Sequence, residues 1–186
     1  MVPGKPLPGR GAASLLVVFN GEVEGRVLRI NVSGGGVPKL AVEEATLGPL
    51  GLAGDDHDDK HDHGGPDRAL CIYSMERLRV LRAEGHPVEP GTMGENLTLE
   101  GLDTATIAIG DRLSIGETEV EVTSYAAPCR TIAASFIDGG FSRVLEQRHP
   151  GDSRLYARVV RGGLIRQGDA VSVMVSPQAD AASGNL

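Results

Sequence analysis

Three stretches of this chain carry residue types that can do chemistry. The first is SYAAPCRTI, residues 124–132. Cys129 follows Pro128 just past an alternating segment. Pro removes a backbone donor and stops a strand ladder, so the thiol is expected at a strand mouth. Arg130 beside it is a cation that favours the thiolate, the form that ligates metals and attacks sulfur. On spacing alone, a buried Cys acting as a small hydrophobe stays open as an alternative. Cys71, inside ALCIY, has apolar neighbours and reads as core. The second stretch is PGTMGENLTLEGL, 90–102. Its glycines let backbone amides approach an anion, and Gly94, Glu95 and Asn96 precede a strand. Asn96 offers the donor and acceptor that a heterocycle edge needs, while an ordinary turn with a capping Asn is the plainer alternative.

The third stretch is DDHDDKHDHGGPDRAL, 55–70, with five Asp and three His among residues 55–63. The run has no His-x-x-x-His helical spacing and no calcium-loop pattern. His57, His61 and His63 can gather zinc, and a zinc hydrolase built on 57–63 is an alternative. The expectation is a solvated loop ahead of the Gly64-Gly65-Pro66-Asp67 turn. Arg68 then opens an apolar strand, where a guanidinium can reach into a pocket and take a phosphate.

The elements that must position these residues are mostly strands. Segments 25–33, 40–47, 97–100, 104–110, 111–116, 118–124, 155–160 and 170–175 read as strands by alternation or short apolar runs. Segment 69–73 is a continuous apolar run, expected to be buried on both faces. In 118–124, Val120 and Val122 share one face, with Glu119, Glu121 and Thr123 on the other. Ser74 is an expected N-cap for a helix over 75–84, with Met75, Leu78 and Leu81 or Arg82 turned inward, Gly85 past its end and Pro87 beyond. A shorter helix is expected within 140–149. The echo between IAIGDRLSIG and LIRQGDAVSVM places Gly-Asp turns between short strands. Many short strands with few helices predict a mainly β fold, a closed or nearly closed β-barrel, because long open edges would stay unpaired.

Composition narrows the function classes. A chain of 186 residues holds one domain plus tails, here expected as a flexible 1–13, a barrel domain over 14–176 and a flexible 177–186. It has no Trp, three Phe and three Tyr, so Val, Leu and Ile must fill the core. Net charge is −7 and no basic patch with interleaved aromatics occurs, which argues against nucleic acid. The first apolar run, Leu15–Phe19, is too short for a signal core or a membrane span. Two Cys do not form a disulfide framework, so the expected compartment is cytoplasmic. Lys is rare, and Lys5, Lys39 and Lys60 lack a Schiff-base setting, so pyridoxal phosphate is not expected.

INVSGGGVPKLAVEEATLGPLGLAGD, HGGPDRALCIYSMERLRVLRAEGHPVEPGTMGENLTLEGL, IAIGDRLSIG, VTSYAAPC and HPGDSRLYARVVRGGLIRQGDAVSV occur in an order that resembles MOSC domains. These are found at the C-terminus of molybdenum-cofactor sulfurases and as standalone bacterial proteins. The likeness covers about residues 26–175. It implies a strand-rich barrel, the same class that the strand pattern predicts. It also implies that Cys129 is the functional Cys, as a molybdenum ligand or a persulfide carrier. The HGG motif maps to His63, Gly64 and Gly65, and GEN to Gly94, Glu95 and Asn96. A pterin dithiolene with a phosphate suits this chemistry: molybdenum takes thiolate sulfur, and the phosphate takes Arg or turn amides. Arg68, Arg130, Arg154 and Arg158 are the candidates for charge compensation. Two functions follow from the resemblance. One is a molybdenum-cofactor oxidoreductase acting on N-hydroxylated compounds with a separate electron-transfer partner. The other is a sulfur-transfer module served by a cysteine desulfurase.

Overall fold

The computed structural model describes residues 25–56 and 64–174. Eleven strands and one α-helix lie within them: β1 (Gly25–Val32), β2 (Leu40–Val42), β3 (Glu44–Gly48), β4 (Gly51–Leu52), β5 (Leu70–Ser74), α1 (Met75–Ala83), β6 (Leu97–Glu100), β7 (Arg112–Ile115), β8 (Thr118–Ala126), β9 (Arg154–Arg161), β10 (Gly163–Arg166) and β11 (Ala170–Met174). The expected end segments 1–13 and 177–186 and the histidines of the acidic run lie outside the described residues.

Seven strands close a barrel in the order β1-β11-β7-β8-β9-β5-β6 and back to β1, with β2 added beside β1. Closure rests on Gly25 opposite Val171 and Arg26 opposite Ala170. Every neighbour pair is antiparallel except β5 with β6. That parallel step needs a crossover, and α1 supplies it. A closed wall leaves few free strand edges, which is how short strands of Val, Leu and Ile hold together without large aromatics. The barrel interior is filled by Val27, Ile30, Leu70, Ile72, Leu97, Leu99, Leu113, Ile115, Val120, Val122, Leu155 and Ala157, among others. Strands β10, β3 and β4 form a separate small sheet.

A second core lies outside the barrel wall. Tyr73, Met75, Leu78, Leu81, Val88, Met93, Ile132, Phe136 and Val144 pack together there. This explains the continuous apolar run at β5. Leu70 and Ile72 face the barrel, while Tyr73 faces the second core and Cys71 a small cluster with Ala126 and Tyr156. α1 behaves as its sequence requires: the Ser74 hydroxyl accepts from the Arg77 amide at 3.4 Å, and Met75, Leu78 and Leu81 are buried.

Three expected elements differ. Segment 40–47 is not one strand but two, β2 and β3, in different sheets. Segment 104–110 is not a strand: Asp103 caps a 3-10 turn over Thr104–Thr106, accepting from the Ala105 amide at 3.0 Å. The helix expected within 140–149 is only a 3-10 turn, Phe141–Val144. Gly139 and Gly140 before it and Pro150 after it leave too few residues to propagate an α-helix. Among the described residues, no helix is long and apolar enough to cross a membrane.

Candidate functional site

The candidate residues gather on the outer wall of the barrel, where β5, β8 and β9 lie side by side. Cys71 on β5 stands opposite Tyr156 on β9, and Arg154 stands opposite Ala126 on β8. A register shift between Val122 and Ser124 sets this arrangement up. Before it, Thr118, Val120 and Val122 are buried on one face of β8; past it, Ala126 joins Cys71 and Tyr156 outside the barrel. Bulges commonly re-aim side chains in this way. The Thr123 hydroxyl donates to the Asp67 carbonyl at 2.5 Å, which holds the Gly64–Arg68 turn against the strand.

β8 ends at Ala126, and Cys129 then stands as the N-terminal cap residue of a 3-10 turn over Arg130–Ser135. Its exposure is intermediate, whereas Cys71 is buried. Burial pushes the Cys71 thiol up, which keeps it protonated and unreactive. Arg130 is exposed on the solvent side of that turn.

Arg68 sits at the end of the short 3-10 turn Pro66–Arg68, with its guanidinium carbon 5.8 Å from the centre of the Tyr156 ring. Gly64 and Gly65 have φ of 90° and 87°. That pair of left-handed positions turns the backbone outward, and a Cβ at Gly65 would meet open space. His63 lies outside the described residues. Arg68 and Asp67 also border an open groove of about 480 Å³, whose far side is Glu121, Thr123, Ser124 and Arg158. Arg158 pairs with Glu121 at 2.7 Å inside it.

Gly94, Glu95 and Asn96 approach the same wall from beneath. Asn96 is almost fully buried, and its amide is engaged inside the protein. Its Oδ1 accepts from the Cys71 amide at 3.0 Å, and its Nδ2 donates to Asp55 Oδ2 at 2.7 Å. Glu95 is fully buried: its Oε1 accepts from the Gly91 amide at 2.6 Å and from the Thr98 hydroxyl at 2.8 Å. Burial pushes the Glu95 carboxyl up, against those hydrogen bonds and the nearby Arg154. These two side chains brace the turn and face the protein interior.

Two residues at this place carried no role in the sequence reading. Asp55 belongs by sequence to the acidic run, but its side chain is buried. It accepts from Lys39 Nζ at 2.5 Å and from the Ser33 amide at 2.9 Å, and it anchors Asn96. The signal for it was weak, because nothing in an Asp-rich run tells which Asp points inward. Tyr156 is the other. Its phenol is raised to about 12, first by burial, then by Cys71; Arg154 and Arg68 oppose the rise and Cys129 adds to it. Arg68 of the third stretch and Cys129 of the first thus both act on Tyr156. Alternation in RLYARV was its legible signal: Leu155 and Ala157 face the barrel, so Arg154, Tyr156 and Arg158 must face out. Among the described residues no three His, Cys, Asp or Glu side chains converge as metal ligands.

A family model described as MOSC domain matches residues 59–172. The uncharacterized protein YflK of Bacillus subtilis is 34% identical over 116 residues, covering 62% of this chain and 52% of its own length. Protein YiiM of Escherichia coli is 36% identical over 98 residues, covering 50% of this chain and 44% of its own. The chain thus spans about half the length of the curated relatives it matches. Crystal structures are also similar. YiiM from Escherichia coli aligns with a TM-score of 0.61 and 26% identity over 81% of this chain and 70% of that one. A hypothetical protein aligns with 0.65 and 28% over 82% and 70%.

Proposed function

Because the chain belongs to the MOSC domain family, we propose that it binds the molybdenum cofactor through Cys129 and reduces N-hydroxylated compounds with electrons from a separate donor protein. The observation that carries this reading is the outer-wall arrangement. What supports it is a partly exposed Cys129 thiol that acts electrostatically on Tyr156, an exposed Arg68 5.8 Å from that ring, and the glycine turn before Arg68, where a Cβ at Gly65 would meet open space. A thiolate is a soft donor suited to molybdenum. Backbone at Gly64 and Gly65 can approach a phosphate closely, and Arg68 can pair with it. His63 extends that turn in sequence. Glu95 and Asn96 act beneath the surface by holding the turn that includes Gly94, and Arg130 adds positive charge on the solvent side.

When bound, the cofactor supplies a metal centre able to pass two electrons. The chain's own part is to hold it, to keep the neighbouring Tyr156 hydroxyl protonated, and to present the groove beside Arg68 to a substrate. The overall change is R–NHOH + 2 e⁻ + 2 H⁺ → R–NH2 + H2O: the N–O bond breaks, the nitrogen is reduced, and the oxygen leaves as water. The electrons must come from an external carrier, since the chain has no cluster-type cysteine set.

The reading is tested on protein purified from a host that makes the cofactor. Expected are bound molybdenum and pterin, and conversion of a hydroxylamine or amidoxime to the amine or amidine with an artificial reductant. Protein carrying no molybdenum but a cyanide-labile sulfur on Cys129 would instead make the chain a sulfur carrier loaded by a cysteine desulfurase.

A further inference from the structure

Arg154 is 5% exposed and begins β9 on the outer wall. Among the described residues its hydrogen bonds go to two backbone carbonyls rather than to a carboxylate. Nη1 donates to the carbonyl of Met93, the residue before Gly94, at 2.5 Å. Nη2 donates to the carbonyl of Ala127, two residues before Cys129, at 3.4 Å. Its Nε is buried with no hydrogen-bond partner among the described residues. The Gly94 turn lies against it: Gly94 has φ +76°, and a Cβ there would be in ordinary contact with Nη1 at 3.6 Å and tight against Val37 Cγ1 at 3.2 Å. A buried cation is costly to keep, and capping a carbonyl does not require one. What a guanidinium has, and Lys or Met lacks, is a planar fork whose two terminal nitrogens donate side by side at the end of a long stem.

We propose that Arg154 is a positioning residue that locks the Gly94–Asn96 turn and the Cys129 turn in one fixed relation, through its two-pronged guanidinium rather than through its charge. The inference rests on the reading that these two turns border one site. Lys keeps the charge, but its single nitrogen reaches only one of the two carbonyls. Ser135 makes a nearby tie, its hydroxyl donating to the Thr92 carbonyl at 2.9 Å, so loss of Arg154 loosens the turns without detaching them.

The test is amide hydrogen exchange on the full, ligand-free chain. Two amides report the two turns: Gly94, donating to the Gly91 carbonyl at 3.3 Å, and Ile132, donating to the Cys129 carbonyl at 3.2 Å. Arg154→Met and Arg154→Lys are both expected to lower protection at both amides by about tenfold, while amides of β8 within the barrel wall keep theirs. Restoration of both turns by Lys, loosening of one turn alone, or no change in either would overturn the proposal. Should Arg154→Met not fold, the wild-type chain in sub-denaturing urea still decides. Gly94 and Ile132 must then share one opening free energy and one urea dependence, and different values overturn the lock. Exchange does not depend on cofactor loading, so an unloaded wild-type protein would count against the proposed function and leave this inference standing.

Discussion

A thiol's behaviour is set by its surroundings, and the two thiols here differ in theirs. Cys71 is packed against Ala126 and Tyr156, and burial keeps it protonated. Cys71→Ala should cost about 1 kcal/mol or somewhat more, the price of a small cavity, with cofactor loading unchanged. Thermal unfolding and metal analysis check the two halves of that statement. Its apolar flanks made this role legible in the sequence. Glu95 was not legible in the same way. GEN reads as a turn before a strand, with nothing to show that its carboxyl is fully buried between β5 and the segment around Gly91. Burial raises the Glu95 carboxyl in the folded state. As pH rises out of the ordinary carboxylate range, the unfolded chain releases its proton first, so this group's contribution to stability falls with rising pH; below that range the penalty is absent. Gln can accept the same two hydrogen bonds without a charge. Glu95→Gln should therefore gain in melting temperature relative to wild type as pH climbs from about 4 to about 8. A difference that does not change with pH would mean that Glu95 is not held under this burial.

At the scale of elements, Ser74 has more to do than cap a helix. Its buried hydroxyl accepts from the Arg77 amide at 3.4 Å and from the Thr104 amide at 3.2 Å, so it ends β5, starts α1 and ties down the 3-10 turn over Thr104–Thr106. Ser74→Ala should cost about 2 kcal/mol, the upper end for a cap, because two amides lose their acceptor together. Urea unfolding measures it, and a loss under about 0.5 kcal/mol would show that the second contact contributes nothing. The cap, the helix and its inward stripe were all readable, since they are set by residues within a few positions of one another. The break between β2 and β3 was not. LAVEEATL is suited to one strand, and only tertiary pairing sends Leu40–Val42 to β1 and Glu44–Gly48 to β10. The failed helix at 140–149 marks the same limit, where glycines outweigh a few apolar residues at helical spacing.

At the scale of the whole molecule, the closed barrel follows from many short strands that must leave no open edge, and that inference needed no contact information. The existence of a second core outside the wall did need it, although the unbroken apolar run at β5 is its trace. The Asp/His-rich run illustrates both sides. Asp55, whose side chain is buried, joins the network under the site, while His57 and His61 lie outside the described residues. Replacing His57 and His61 together by Ala should leave the melting temperature within the range of ordinary surface changes and leave loading intact. Joint loss of a bound metal and of activity in that variant would favour the zinc alternative. The central claim is that Cys129 holds a molybdenum cofactor on the outer wall of this barrel. The most direct measurement is the ratio of molybdenum and pterin to protein in wild type and Cys129→Ser, both purified from a host that makes the cofactor. Ser keeps the size of the side chain but replaces a soft ligand with a hard one. Near-stoichiometric molybdenum and pterin are expected in wild type, with both lost in Cys129→Ser at an unchanged melting temperature. Equal loading of the two proteins, or no loading of either, would contradict that claim.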